Sequence, residues 1–528
     1  MNQWEELQQA AFAKRVSRRD FMRRATALGI STALATGVLS RAGYAQEPKK
    51  GGTFKIGLGH GATTDSLDPA TYPDQMTGTV GWGASGNSLT EMDVAGNIVG
   101  DLAESFEPSD DAKSWVFKLR KGATFHNGKE VTTADVVASY QHHMGADSKS
   151  AAKSILDSVA EIKADGDNVV FTLKGGNADF PFYVSDYHLK IMPAKADGKA
   201  DWESGIGTGP YKIDKFEPGV GAKLSRYDGF YGKSYFDEVE FKVIADVAAR
   251  TNALTSGEIH FMDRCDLKTV NLLKKNPDLN ITEVTGYGHY IFVMNTQVAP
   301  FDNPDVRNAL KQALDREEIA KKVFHGYASP GNDNPIAPSI QYAINAEPVH
   351  TFNPEKVAEL LKKAGKEGLS VDLSVSDAAF AGAVDAATLF KETAAKAGIN
   401  INVIQEAADS YWDAVWLKKP FCASYWNGRP TCDWMFTTAY AADAAWNDTF
   451  WKNARFNELL IAARSETNSD NRAKQYAEMQ QLVHDDGGLI NIVFNNYVSA
   501  HSKAVAHGDL LSNWDVDGMK ICSRWWMA

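Results

Sequence analysis

The sequence predicts an α/β protein built as two lobes, on three observations. Its 528 residues are 44% hydrophobic and 23% charged, an ordinary globular composition with length for several cores. Through the second half, strand and helix patterns alternate, which calls for a sheet flanked by helices. Two helices there carry the same punctuation, Asn-Pro at the start and Gly at the end.

Element by element, "GGTFKIGLG" (Gly51 to Gly59) reads as a strand, with Phe54, Ile56 and Leu58 alternating. "KSWVFKLRKGATFHNGKEV" (Lys113 to Val131) reads as a hairpin: Trp115, Phe117 and Leu119 alternate and His126-Asn127-Gly128 turns the chain. Thr132 opens the next helix, with Asp135 three residues on as a near capping box. "NVVFTLKG" (Asn168 to Gly175) is a further strand. Val239, Phe241 and Val243 alternate along another, followed by a helix closed by Gly257 and then a short strand. "HYIFVMN" (His289 to Asn295) is again a strand. One helix is expected from Asn303 and Pro304 to Gly326, with Val306, Leu310, Ala313 and Leu314 on one stripe. A second runs from Asn353 and Pro354 to Gly365 with Val357, Leu360 and Leu361 inward. The strand "SVDLSVS", a helix from about Ala383 to Ala397 and the strand "NINVIQEA" follow. No repeat or low-complexity tract interrupts the series.

Residues 1–45 are different in kind. "SRRDFMRR" precedes the uncharged "ATALGISTALATGVLS", then "RAGYAQ" offers Gly43 and Ala45 at the −3 and −1 positions of a cleavage site. That order is a secretory signal, too short and weakly apolar for a membrane span. The Arg18-Arg19 pair resembles a bacterial twin-arginine export signal. The expected location is the periplasm, as a soluble protein.

The net charge of −12 argues against a nucleic-acid partner. Four cysteines, Cys265, Cys422, Cys432 and Cys522, form no CxxC pair, so zinc-cluster and thioredoxin chemistry are set aside. An oxidising compartment permits one or two disulfides, and a Cys422–Cys432 bond would stiffen the segment between them; the spacing assigns no partners. "GLGHGATT" lacks a phosphate-loop continuation, "GASGN" is not a nucleophile elbow, and His142-His143 lacks metallohydrolase spacing. No catalytic constellation, metal set or cofactor is expected.

Six blocks in order then resemble the extracellular solute-binding proteins of family 5, the peptide, nickel and opine type serving ABC importers. They include "LDPA" (Leu67 to Ala70), the dense block Asp101 to Tyr140, and "GTGPYKIDKFEPG" (Gly207 to Gly219). "ARTNALTSGEIHF" (Ala249 to Phe261), Met294 to Ile319 and "NPEKVAELLKKAG" complete the set. The resemblance implies a two-lobed periplasmic-binding-protein fold (type II, cluster C) with an extra subdomain on lobe one. It places lobe one at 46–290 with an insertion at about 80–200, lobe two at 291–495 and a C-terminal return over 496–528. The chain would cross between lobes near Tyr290–Asn295 and Asn495–Val498. It also implies a non-enzyme, monomeric, that encloses a small molecule and delivers it to inner-membrane permease and ATPase subunits.

The site expectation centres on "SYWNGRPTCDW" (Ser424 to Trp434). In peptide-binding relatives the matching loop carries an aspartate for the ligand's ammonium; here Trp426 and Asn427 stand nearest and Arg429 follows. A guanidinium favours a carboxylate, bidentately, and would repel an ammonium. Arg429 is therefore the expected anchor for an acidic group, with Trp426 stacking and Asn427 and Asp433 hydrogen-bonding; an Arg429–Asp433 pair is the structural alternative. Gly428 permits close approach and Pro430 stiffens the turn. Tyr287 and His289 before the crossing strand, and Trp82 and Ser85 in "GWGASGNS", are the remaining expected contacts. The expected cargo is a carboxylate-bearing, peptide-like or opine-like solute. An ordinary di- or oligopeptide is the alternative, and an exported hydrolase or a metal or heme carrier is the rival class.

Overall fold

Eleven strands form one sheet that runs through the whole molecule in this computed structural model, which describes residues 48–145, 148–407 and 410–528 and scattered positions before 48. The Arg18-Arg19 pair and the cleavage site after Ala45 lie outside the described residues. From one edge the strands are Asn400–Gln405, Ser370–Val375, Phe421–Trp426, Leu279–Met294 and Leu489–Ser502. Phe261–Met262, Thr53–Leu58, Glu238–Val243, Gly221–Arg226 and Tyr211–Glu217 continue to the other edge, and Ala328–Pro330 pairs with Leu489–Ser502.

Thr53–Leu58 buries Phe54, Ile56 and Leu58, the apolar alternation expected of it. It pairs in parallel with both Glu238–Val243 and Phe261–Met262. The helix Val247–Thr255 connects those two strands. Asp246 caps it by accepting from the Ala249 amide, and Gly257 at φ +79° turns the chain back.

Two long strands join the halves. Leu279–Met294 and Leu489–Ser502 run antiparallel; Leu279 to Thr285 pairs with Ser502 to Asn496, and His289 to Val293 with Phe494 to Leu489. The register shifts between Thr285 and His289, a stretch containing Gly286 and Gly288. Side chains on either side of that break pack into separate cores. Before the break Leu279, Val498 and Ala500 pack with Leu254 and Val270, and beyond it a larger core gathers Phe292, Leu310, Phe390, Phe436 and Val483; Phe54, Tyr211, Phe241 and Trp525 form a further core. A four-stranded antiparallel sheet stands apart, in the order Ala103–Pro108, Ser114–Leu119, Asn168–Leu173, Val159–Asp165, and has its own core of Phe117, Phe125, Tyr140 and Phe171.

Two expectations need correction. The turn at Asn127-Gly128 makes no hairpin partner for Ser114–Leu119, which pairs with Ala103–Pro108 and Asn168–Leu173. Gly122, at φ +75°, turns the chain out of the strand, and only a Thr124–Glu130 bridge forms around the later turn. The single helix read from Asn303 to Gly326 is two, Pro304–Gln312 and Arg316–Lys322. Asp315 takes an extended backbone between them and caps the second by accepting from the Glu318 amide. The four cysteines are all free and buried: Cys265 and Cys522 lie in two different cores, Cys422 and Cys432 unbonded in a third.

Candidate functional site

The strand Phe421–Trp426 places His289 opposite Trp426 and ends as the chain leaves the sheet at Asn427. Gly428 then adopts φ +72° and lies so close to Tyr287 that a Cβ would stand 2.3 Å from the Tyr287 carbonyl oxygen. Only glycine fits there. Thr431 closes the loop by accepting from the Trp434 amide at 3.2 Å, which starts the helix Cys432–Ala439. Asn427 to Thr431 is thus a short link held at both ends, and Arg429 sits at its middle.

The link forms one wall of a cavity of about 260 Å³. Asn427, Gly428, Arg429, Pro430, Trp434 and Trp446 contribute from one side, and Met92, Phe182, Asp186, Tyr187, His188 and Trp514 from the other. Tyr287, on the crossing strand, is shared by neither side. Tyr183 bridges the two beside the cavity, its ring 4.5 Å from that of Trp434, and Tyr187 meets Trp514 edge-on at 5.5 Å.

The charges in this cavity are few. The hydrogen bond made by the Arg429 guanidinium is to the carbonyl of its neighbour Gly428, at 2.7 Å, and no carboxylate among the described residues forms an ion pair with it. Burial lowers its pKa, and the negative charge of Asp186 opposes that shift. Asp186 accepts from the His188 amide at 3.0 Å and lies 2.7 Å from His188 Nδ1, while His188 Nε2 faces the Tyr72 carbonyl. One wall therefore offers a cation free to take an anion, and the opposite wall an anion already engaged.

Of the expected residues, Tyr287, Asn427 and Arg429 line this cavity, and Trp426 lines an adjoining groove with Asn427 and Arg429. The other four lie off the cavity wall. Asp433 is buried beneath the loop, where Arg464 Nε donates to it at 3.1 Å; the Arg429–Asp433 pair does not form. His289 is fully buried against the Tyr287 carbonyl, and burial pushes its pKa down to about 4. Trp82 donates to Ser88 at 2.8 Å with Lys520 over its ring, and Ser85 donates to the Gly81 carbonyl. Asp186, His188, Trp434, Trp446 and Trp514 were not anticipated. They come from three distant stretches, and of them only Trp434, the last residue of the Ser424 to Trp434 stretch, stands in a motif. Among the described residues no group of three His, Cys, Asp or Glu side chains is placed to hold a metal.

A cavity closed between two halves of a chain, with one free cation and aromatic walls, defines a protein that encloses a small solute. The comparisons with known proteins agree. The pattern of the bacterial extracellular solute-binding proteins, family 5, matches residues 97–448, and the chain belongs to that family. The chain is 27% identical over 497 residues to the glutathione-binding protein GsiB of Escherichia coli K12, covering 90% of this chain and 94% of that one. It is 25% identical to the periplasmic binding protein AgaA of A. tumefaciens R10 in complex with agropinic acid, with a TM-score of 0.69 over 90% and 99% of the two chains. The periplasmic binding protein DppA of Helicobacter pylori, in complex with the peptide STSA, shares the fold at 23% identity, with a TM-score of 0.68 over 91% and 98%. Binding proteins of this family hand ligand to the permease of an ABC importer. No described helix is long and apolar enough to cross a membrane.

Proposed function

We propose that the protein captures a small carboxylate-bearing solute, peptide-like or opine-like, in the periplasm and delivers it to an ABC importer. The observation that carries this reading is Arg429: a guanidinium at a cavity wall with no acid paired to it. A half-buried cation with no acid paired to it is costly, and a ligand carboxylate repays that cost with charge-assisted hydrogen bonds. Glutathione and agropinic acid, named for relatives, both carry carboxylates. An amine on the same ligand finds Asp186 across the cavity, which supports a zwitterionic cargo. The lobes are proposed to close about the register break at Thr285–His289, ligand contacts on both walls favouring the closed state. Residues 1–45 are proposed as the export signal.

The test is thermal-shift and calorimetric screening of glutathione, short peptides, opines and their esters. A true ligand at one hundred times its dissociation constant should stabilise the protein by about 2.7 kcal/mol. Arg429→Ala should abolish binding of that acid while the ligand-free melting temperature holds. Unchanged affinity in Arg429→Ala, or equal binding of acid and ester, would falsify the carboxylate reading.

A further inference from the structure

Asn427, Arg429 and Trp446 line a second space besides the cavity already described. It is a groove of about 500 Å³ whose other walls are Trp412, Trp416, Tyr425 and Trp426. Five of its seven lining residues are aromatic. Their rings face one another: Trp412 meets Trp416 edge-on at 6.0 Å and Tyr425 at 5.5 Å, and Trp426 lies tilted 6.1 Å from Trp446.

Three of these rings remain open to water, Trp412 at 38% exposure, Tyr425 at 37% and Trp446 at 52%. A single exposed aromatic is ordinary, but contiguous exposed rings mark a binding surface. We infer that this groove is a second compartment of the same ligand site and holds a flat aromatic group attached to the acid at Arg429. The inference rests on the carboxylate reading above. The shared residues carry it: because Arg429 and Asn427 belong to both walls, a ligand anchored there reaches either space.

Chemistry narrows the occupant. Offset and edge-to-face contacts from several sides suit another aromatic ring. A cationic group would meet the Arg429 guanidinium on the same wall. The buried acid Asp448 is engaged by Trp416 Nε1 at 3.1 Å. A sugar would ask for a ring of hydrogen-bonding groups, where this groove offers mostly carbon faces.

Benzoylglycine and acetylglycine form the test pair, differing in a phenyl against a methyl group. Calorimetry on the whole protein should show benzoylglycine bound about tenfold more tightly, the scale of one well-packed ring. In the Trp412→Ala, Tyr425→Ala double variant that preference should fall below about threefold, since the stacking contacts are gone. A melting temperature near that of the wild type shows that the variant folds. Equal affinities in the wild type, or a tenfold preference kept by the variant, overturn the aromatic compartment alone. Tighter binding of tetramethylammonium or methyl glucuronide than of benzoylglycine overturns the aromatic class. Failure of both acids to bind, or equal binding of their esters, overturns the Arg429 anchor and this compartment with it.

Discussion

A methyl group on Gly428 would collide with the Tyr287 backbone, and its φ of +72° is one that side chains rarely adopt. Gly428→Ala is therefore expected to destabilise the protein by about 1–3 kcal/mol and to weaken ligand binding by re-aiming Arg429. Denaturant titration and calorimetry read the two effects separately. Asp448 makes a pH prediction. Burial pushes its carboxyl up to about 7, far above the 3.8 of an exposed aspartate. The folded protein thus holds a proton there that the unfolded chain releases near pH 4. This contribution to stability is complete below pH 4 and is lost as pH rises through 7. Asp448→Asn should flatten the fall in melting temperature between pH 5 and 8; an unchanged slope assigns that fall to other groups. At this scale the candidate site was half legible. Arg429 was visible because the resemblance called for an acid near Trp426 and Asn427, and a cation follows two residues on instead. Asp186 and Trp446 were not, since an isolated aspartate or tryptophan looks the same in a core, on a surface or in a cleft.

Thr431 does for the helix Cys432–Ala439 what Gly428 does for the loop. Its hydroxyl accepts from the Trp434 amide, so the cap fixes the residue whose ring lines the cavity. Thr431→Ala should cost about 1 kcal/mol in denaturant stability and weaken binding more than an exposed cap substitution such as Asn468→Ala. Caps also explain what the sequence revealed of the elements. Asn303, Asn353 and Thr132 all cap where expected, each through a side-chain oxygen accepting from the following turn. Asp315 was passed over because the apolar stripe continues through Ala313 and Leu314 into the next helix. Strand partners were the harder inference. Alternation at Trp115, Phe117 and Leu119 fixes a strand and its buried face, but pairing with Asn168–Leu173 depends on chain some fifty residues away. The 16-residue strand Leu279–Met294 was read only over its apolar end, since its first half alternates too weakly to announce itself.

The halves of the molecule touch beyond the crossing strands. Arg472 donates to Asp179, with both side chains buried, and the Ala178 amide donates to the Arg464 carbonyl at 2.7 Å. Arg472→Ala leaves Asp179 buried without its partner and should cost about 3–5 kcal/mol. Replacing both, Asp179→Leu with Arg472→Met, should recover much of that loss, because it removes the stranded charge. A double-mutant cycle in urea measures the difference, and additive losses would mean the pair is not coupled.

The cysteines set a property of the whole chain. Each thiol is sealed among apolar side chains, Cys265 in one core, Cys522 in another, Cys422 and Cys432 in the third. Burial also pushes them away from the reactive thiolate form, Cys265 up to about 12. Melting curves with and without dithiothreitol should superimpose. The shape of this molecule then asks nothing of glutathione or of an oxidase: a chain finished in a reducing cytosol has no covalent strut left to install wherever it is sent.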